Sequence, residues 1–155
     1  MLSHFIYGWL FPVMIVSAGA LAGEQAITMQ PSPVGRWITV DDATGKAKSV
    51  VQIWEEDGRL YGKIEQLLQP DPKYPNPQCV RCVGELKDKP VIGMRILWDL
   101  RKNGDMWSGG MVLDPENGKS YHCSLELKDD GNRLRIRAFV GFSWLGRTQY
   151  WLRAL

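Results

Sequence analysis

The sequence predicts an all-β protein, an antiparallel up-and-down β-barrel of about eight strands. Three observations carry that expectation. Turn-forming clusters punctuate the chain, and after Asn103 they recur about every 13–14 residues, a spacing that suits strands joined by short hairpins. The segments between the clusters alternate apolar and polar residues, the pattern of a strand with one buried face. Beyond the apolar N-terminal run, no window carries the 3.6-residue stripe of an amphipathic helix.

The first element is not part of the barrel. Residues 1–22 are apolar or weakly polar and end in Ala20-Leu21-Ala22, and the first charged side chain is Glu24. This layout reads as a secretory signal peptide with a small-x-small cleavage site. The alternative is an uncleaved anchor, since the run approaches the lower length for spanning a bilayer, but Pro12 and the small residues at its end favour cleavage. Export to the periplasm or secretion follows, with no stable membrane span left after cleavage. Residues 23–33, with Pro31 and Pro33 and no periodicity, read as a flexible leader. Residues 34–155 then form one domain with one core.

Within that domain the strands are expected at 36–40, 48–55, 59–67, 94–100, 106–113, 119–127, 133–140 and 147–153. The turns between them include Asp41-Asp42-Ala43-Thr44-Gly45, Glu56-Asp57-Gly58, Lys102-Asn103-Gly104-Asp105, Pro115-Glu116-Asn117-Gly118 and Asp129-Asp130-Gly131-Asn132. Asp-Gly and Asn-Gly steps supply the positive φ angles that tight hairpins require. Tyr121 to Leu127 alternates cleanly, and Arg133, Arg135 and Arg137 share one face of their strand while Leu134 and Ile136 share the other. A meander of this length leaves two edges exposed, and closure into a barrel removes them. An open twisted sheet or a sandwich is the competing architecture.

Residues 68–93 break the rhythm, with Pro70, Pro72, Pro75, Pro77 and Pro90 around Cys79 and Cys82. The segment reads either as a loop closing one end of the barrel or as a passive connector. Cys79-Val80-Arg81-Cys82 is open to several chemistries: a redox dithiol, half a zinc site, a haem attachment or a disulfide. Val83 stands where haem attachment wants His. Cys123, the third Cys, and His122 lie on opposite faces of one strand, which works against a four-ligand zinc site. The oxidising compartment implied by export favours a Cys79–Cys82 disulfide, leaving Cys123 as a buried thiol.

The chain holds seven Trp, and Trp54, Tyr61, Trp98, Trp107, Trp144 and Trp151 suggest an aromatic interior. Trp54, Tyr61, Trp98, Trp107 and Tyr121 are the candidates for lining a ligand pocket; the alternative is that the rings fill the core, since an eight-stranded barrel is just wide enough for either. The formal net charge is +2 and the pI is near 8.4, with both signs interspersed. This is not the concentrated basic face of a nucleic-acid binder. The Arg133, Arg135, Arg137 stripe reads as a solvated face rather than an anion site, with Asp41, Asp99, Asp114 and Glu126 as available partners. Asp114 and Glu116 flank Pro115 as turn-formers. With His122 the only His beyond the N-terminal run, neither a His-based triad nor a His metal cluster can be built, so no catalytic residue, metal or cofactor is assigned.

The chain resembles the bacterial exported family catalogued as "domain of unknown function 2147". The resemblance rests on Gly35-Arg36-Trp37, Thr44-Gly45-Lys46, Asp57 to Ile64, Cys79-Val80-Arg81-Cys82, Gly93-Met94, Gly109-Gly110, Asp114 to Lys119 with Tyr121, Arg137 to Gly141, and Leu145 to Gln149 with Trp151 and Arg153. It covers nearly all of residues 34–153. It implies a lipocalin-like (calycin-like) barrel and brings no established activity. A second likeness is to lipocalins, which carry Gly-x-Trp on the first strand with an Arg from near the chain end over the indole. It implies that Trp37 and Arg153 close the barrel base through a cation–π contact. The C-terminal helix usual in lipocalins has no counterpart here. The function expected is binding of a small apolar or amphipathic ligand inside the barrel. The alternative is an envelope interaction or maintenance protein without an internal ligand, and behind it a thiol-redox or hydrolytic enzyme. Oligomeric state is not addressed by any residue pattern.

Overall fold

The computed structural model describes residues 30–155, so the signal peptide read at 1–22 lies outside the described residues. Eight strands follow in order: β1 (Gly35–Val40), β2 (Ala47–Glu56), β3 (Arg59–Leu67), β4 (Arg95–Asn103), β5 (Met106–Asp114), β6 (Lys119–Lys128), β7 (Arg133–Phe139) and β8 (Gly146–Arg153). Each pairs antiparallel with its sequence neighbour, and β8 returns to β1, closing the barrel. Two short 3-10 turns, Gly84–Leu86 and Asp129–Gly131, are the helical elements among the described residues.

The connections alternate between two ends. At the mouth lie the β1–β2, β3–β4, β5–β6 and β7–β8 connections; at the base lie the other three turns, together with the start of β1 and the end of β8. The inner face changes character along that axis. From base to mouth, β7 presents Leu134, Ile136 and Ala138, β1 presents Trp37 then Thr39, and β6 presents Leu125, Cys123 and Tyr121. Trp37, Leu60, Leu97, Leu100, Leu125 and Leu134 are fully buried, and they fill the base half solidly. Each such side chain contributes about 1.5–3 kcal/mol of transfer free energy when buried.

Beside register shifts in the β1–β2, β2–β3 and β5–β6 pairs, two further departures from simple alternation shape the barrel. Leu97 and Leu100 are both fully buried, although a period of two places them on opposite faces. Asp99 between them takes φ 61°, and β4 sets Leu97 against Gly62 and Leu100 against Leu60, three steps against two. This β-bulge resets the phase of β4. It also carries the strand on to Asn103, three residues beyond its expected end. The second departure is the closing seam, where β1 meets β8 at Trp37 with Arg153 and Ile38 with Leu152. Towards the mouth the two strands diverge, and side chains take over from the backbone ladder: Asp42 accepts hydrogen bonds from Arg147 and from Gln149 Nε2 (2.9 Å).

The base is sealed by Trp37 and Arg153. The Arg153 guanidinium lies 4.2 Å over the indole. Its Nε donates to the Gly131 carbonyl (2.6 Å) and its Nη2 to the Ser32 carbonyl (2.7 Å). The Trp37 indole N–H donates to the Pro33 carbonyl at 2.8 Å. Gly35 takes φ 135°, and a Cβ there would meet Arg153 Nη1 at 3.0 Å, so glycine admits the guanidinium. Residues 31–33 therefore differ from the flexible leader read from the sequence. A buried indole N–H and a half-buried guanidinium need acceptors, and the carbonyls of Ser32 and Pro33 supply them.

Candidate ligand-binding site

The mouth half of the barrel is hollow. A cavity of about 1120 Å³ runs from the mid-barrel to the mouth, somewhat above the usual 300–1,000 Å³ range of small-ligand sites. It exists because the inner positions shrink or turn polar towards that end: Thr39, Ser49, Ala138 and Gln149 stand where the base has Trp and Leu. Its walls are mostly apolar, with Ile64, Leu67, Val91, Ile96, Val112, Leu113, Ile136 and Trp151 all lining it.

Polar groups face this space too, and the charged ones among them, such as Asp41, Lys48, Asp71, Glu116 and Arg147, stand at the mouth. The Thr39 and Ser49 hydroxyls lie 2.7 Å apart, and both residues are under 9% exposed. Their strands pair at this register, and the Ser49 backbone N–H donates to Thr39 Oγ1. Across the barrel, Asn117 Nδ2 donates both to the Asp114 carboxylate (2.9 Å) and to the Tyr121 hydroxyl oxygen (3.0 Å). Trp151 Nε1 donates to Gln149 Oε1 at 3.3 Å. The Tyr121 hydroxyl keeps its own proton free for a further acceptor.

The long β3–β4 connection forms one side of the mouth. It is ordered by its own hydrogen bonds, from Cys79 N–H to Lys89 O and from Val91 N–H to Pro77 O. Cys79 and Cys82 form a disulfide and are almost fully buried. The loop packs on the β5–β6 turn, where the Arg81 carbonyl sits over Gly118 so closely that a Cβ would meet it at 2.0 Å. Burial of the disulfide keeps solvent thiols from it. Cys123 is the free cysteine, buried, with its thiol pushed up to about 12 by desolvation, so it stays a neutral thiol rather than a nucleophilic thiolate.

Of the five aromatic residues read as lining candidates, the structure places Tyr121 on the cavity wall. Trp107 is buried at 9% exposure in the packed core, and Trp98 packs half-buried against that core. Trp54 and Tyr61 follow the inward Ile53 and Leu60, so they point outward. They stack there at 5.9 Å, with the Arg95 guanidinium 5.5 and 4.9 Å from their ring centres. Trp144, grouped from the sequence with an aromatic interior, is 71% exposed at the mouth. Trp151 is interior as expected. The Thr39–Ser49 pair escaped notice in the sequence because two hydroxyl residues ten positions apart carry no local signal.

The arginine stripe is partnered rather than bare. Arg135 meets Glu126 at 3.0 Å, and Arg133 meets Asp129 at 3.0 Å while lying 4.4 Å over Tyr150. Hydrogen bonds from Lys128 and Arg135 hold the Glu126 carboxyl below its ordinary value. Among the described residues no cluster of three His, Cys, Asp or Glu could hold a metal, and no helix is long and apolar enough to cross a membrane.

Among solved structures the chain is similar to the protein HP1028 from Helicobacter pylori, described as belonging to the lipocalin family. The TM-score is 0.69 at 20% identity, covering 80% of this chain and 84% of the other. At that identity the likeness shows the fold. Among curated proteins none matches the chain. The family described as "Uncharacterized protein conserved in bacteria (DUF2147)" matches residues 35–153, the whole barrel from the Gly35 that admits Arg153 to Arg153 itself, and the chain belongs to that family.

Proposed function

We propose that the protein is an exported binding protein that carries a small apolar or amphipathic ligand in the mouth half of its barrel, with residues 1–22 as the cleaved export signal and residues 34–155 as the binding domain. The observation that carries this reading is the cavity itself: apolar walls with a few converging polar groups are the usual composition of a small-ligand site. The buried disulfide supports folding in an oxidising compartment.

The test uses N-phenyl-1-naphthylamine, a neutral fluorophore that brightens in apolar surroundings. Saturable binding of one molecule per chain is expected. Ala138→Trp, which fills the cavity from β7, should weaken it by about tenfold, roughly 1.4 kcal/mol. Trp54→Ala, on the outer wall, should leave it unchanged. Absence of saturable binding by chain stripped of co-purified molecules, or equal binding by Ala138→Trp, would overturn the reading. A second reading, an interaction protein acting through its surface, is favoured by one observation, the apolar side chains exposed around the mouth.

A further inference from the structure

The exposed large apolar side chains among the described residues are unevenly distributed: Val34, Tyr150, Leu152 and Leu155 lie on β8 or at the base, and the other seven at the mouth. Tyr74, Val80, Val83, Val140, Phe142, Trp144 and Leu145 are between 57% and 78% exposed, and all stand on the β3–β4 and β7–β8 connections at the mouth. Tyr74, Val80, Val140, Trp144 and Leu145 also line the cavity, so they form its rim. An apolar patch of this kind on a folded surface marks an interaction site.

The β7–β8 connection is built to hold its rings outward. Phe142 and Trp144 stack at 6.0 Å. Arg137, the last arginine of the β7 stripe, donates from Nε to the Ser143 carbonyl (2.6 Å), from Nη2 to the Trp144 carbonyl (3.0 Å) and from Nη1 to Thr148 Oγ1 (2.8 Å). The Leu145 N–H donates to the Phe142 carbonyl. The carbonyls of Phe142, Ser143 and Trp144 are thus satisfied within the protein, which lowers the cost of moving them out of water.

We propose that the mouth of the barrel docks on the surface of a lipid bilayer, with Phe142 and Trp144 entering the headgroup region. The Trp144 indole, with its polar N–H edge, favours that zone, and Phe142 adds apolar area beside it. The rim carries mixed charge, with Lys48 paired to Glu116, Lys87 to Asp88 and Arg147 to Asp42, so docking is driven by apolar contact and suits an electrically neutral lipid surface. Because the rim flanks the cavity opening on two opposite sides, a protein seated across it would stop the mouth. A bilayer instead sets the mouth against the phase in which apolar molecules dissolve. The choice of a bilayer as occupant rests on the ligand-binding reading above; docking itself is measured without any ligand.

The experiment is flotation of the chain, lacking residues 1–22 as after signal cleavage, with phosphatidylcholine vesicles. The wild type should float with the vesicles to a similar extent at low and high salt. Phe142→Ser and Trp144→Ser should each reduce partitioning by about tenfold, and Tyr74→Ser on the opposite loop should reduce it less. Trp54→Ser on the barrel wall should have no effect. Vesicles with brominated acyl chains should quench wild-type fluorescence more than that of Trp144→Phe. Phe142→Ser, whose ring is not on the cavity wall, should still bind N-phenyl-1-naphthylamine, so lost docking and a failed cavity reading give separate signatures. No flotation of the wild type, binding only to anionic vesicles with loss at high salt, or a dimer that dissociates in the loop variants in place of vesicle binding would each overturn the proposal.

Discussion

The two ends of this barrel solve opposite problems with the same strands. At the base, Trp37, Leu60, Leu100, Leu125 and Leu134 are packed to exclusion of water. Arg153, which caps that packing, is satisfied by carbonyls of Ser32 and Gly131 and by the face of Trp37. At the mouth, the inner positions hold smaller or polar residues, the β1–β8 ladder has lapsed, and large apolar side chains face outward. The contrast teaches that stability and binding are separable here. The base supplies the packing that holds the barrel closed, and the mouth is released from packing and left hollow.

Substitutions at three places would break or sharpen that division. The largest effect is expected at the base. Trp37→Ala removes the fully buried indole, its bond to Pro33 and the platform under Arg153, and should cost about 3–5 kcal/mol, read as a lowered urea midpoint. Trp37→Phe should recover part of the loss, since it restores a ring for Arg153 but leaves the Pro33 carbonyl without its donor. If Trp37→Ala weakened ligand binding while leaving the urea midpoint in place, the division would be wrong.

An intermediate effect is expected from replacing both Cys79 and Cys82 with Ser. Opening so short a covalent loop should lower stability by about 2 kcal/mol in the chain-entropy picture. Hydrogen exchange should rise in residues 77–91, where the β3–β4 connection bonds to itself, and stay unchanged around Trp37. Equal loosening at both ends would mean that the two halves act as one cooperative unit.

The smallest change in stability is expected at the seam. Asp42 bridges the diverging ends of β1 and β8 through exposed contacts to Arg147 and Gln149, and exposed pairs contribute about 1 kcal/mol or less. Asp42→Ala should therefore barely move the urea midpoint. Because Val40, Asp42 and Gln149 line both the cavity and a groove outside the seam, the same change should speed release of N-phenyl-1-naphthylamine in stopped-flow measurements. Unchanged release would show that molecules pass through the mouth alone.

Strand phase and turn chemistry are local properties, and they were legible. All eight strands stand where alternation and the Asp-Gly and Asn-Gly steps put them, and the Gly35-Arg36-Trp37 signature pointed to the Arg153 contact through family resemblance. The outward direction of Trp54 and Tyr61 was also within reach, since Ile53 and Leu60 beside them set the phase; counting rings concealed what their parity showed. The Asp99 bulge was not legible, because a single left-handed residue within a strand leaves no mark in periodicity.

What the amino-acid sequence determined by itself was the order of strands, the side of each that is apolar and the residues able to turn, all of which depend on neighbours a few positions away. What only the tertiary structure decided was the lapse of the β1–β8 ladder towards the mouth, the hollow at that end and the exposure of Trp144. A cavity arises where Thr39, Ala138 and Gln149, distant in sequence, come together on the neighbouring strands β1, β7 and β8. Trp144 faces out because Arg137 grips the carbonyls beside it. Such outcomes depend on which strands meet and on whether their side chains together fill the space between them, and no single stretch of the chain contains that sum.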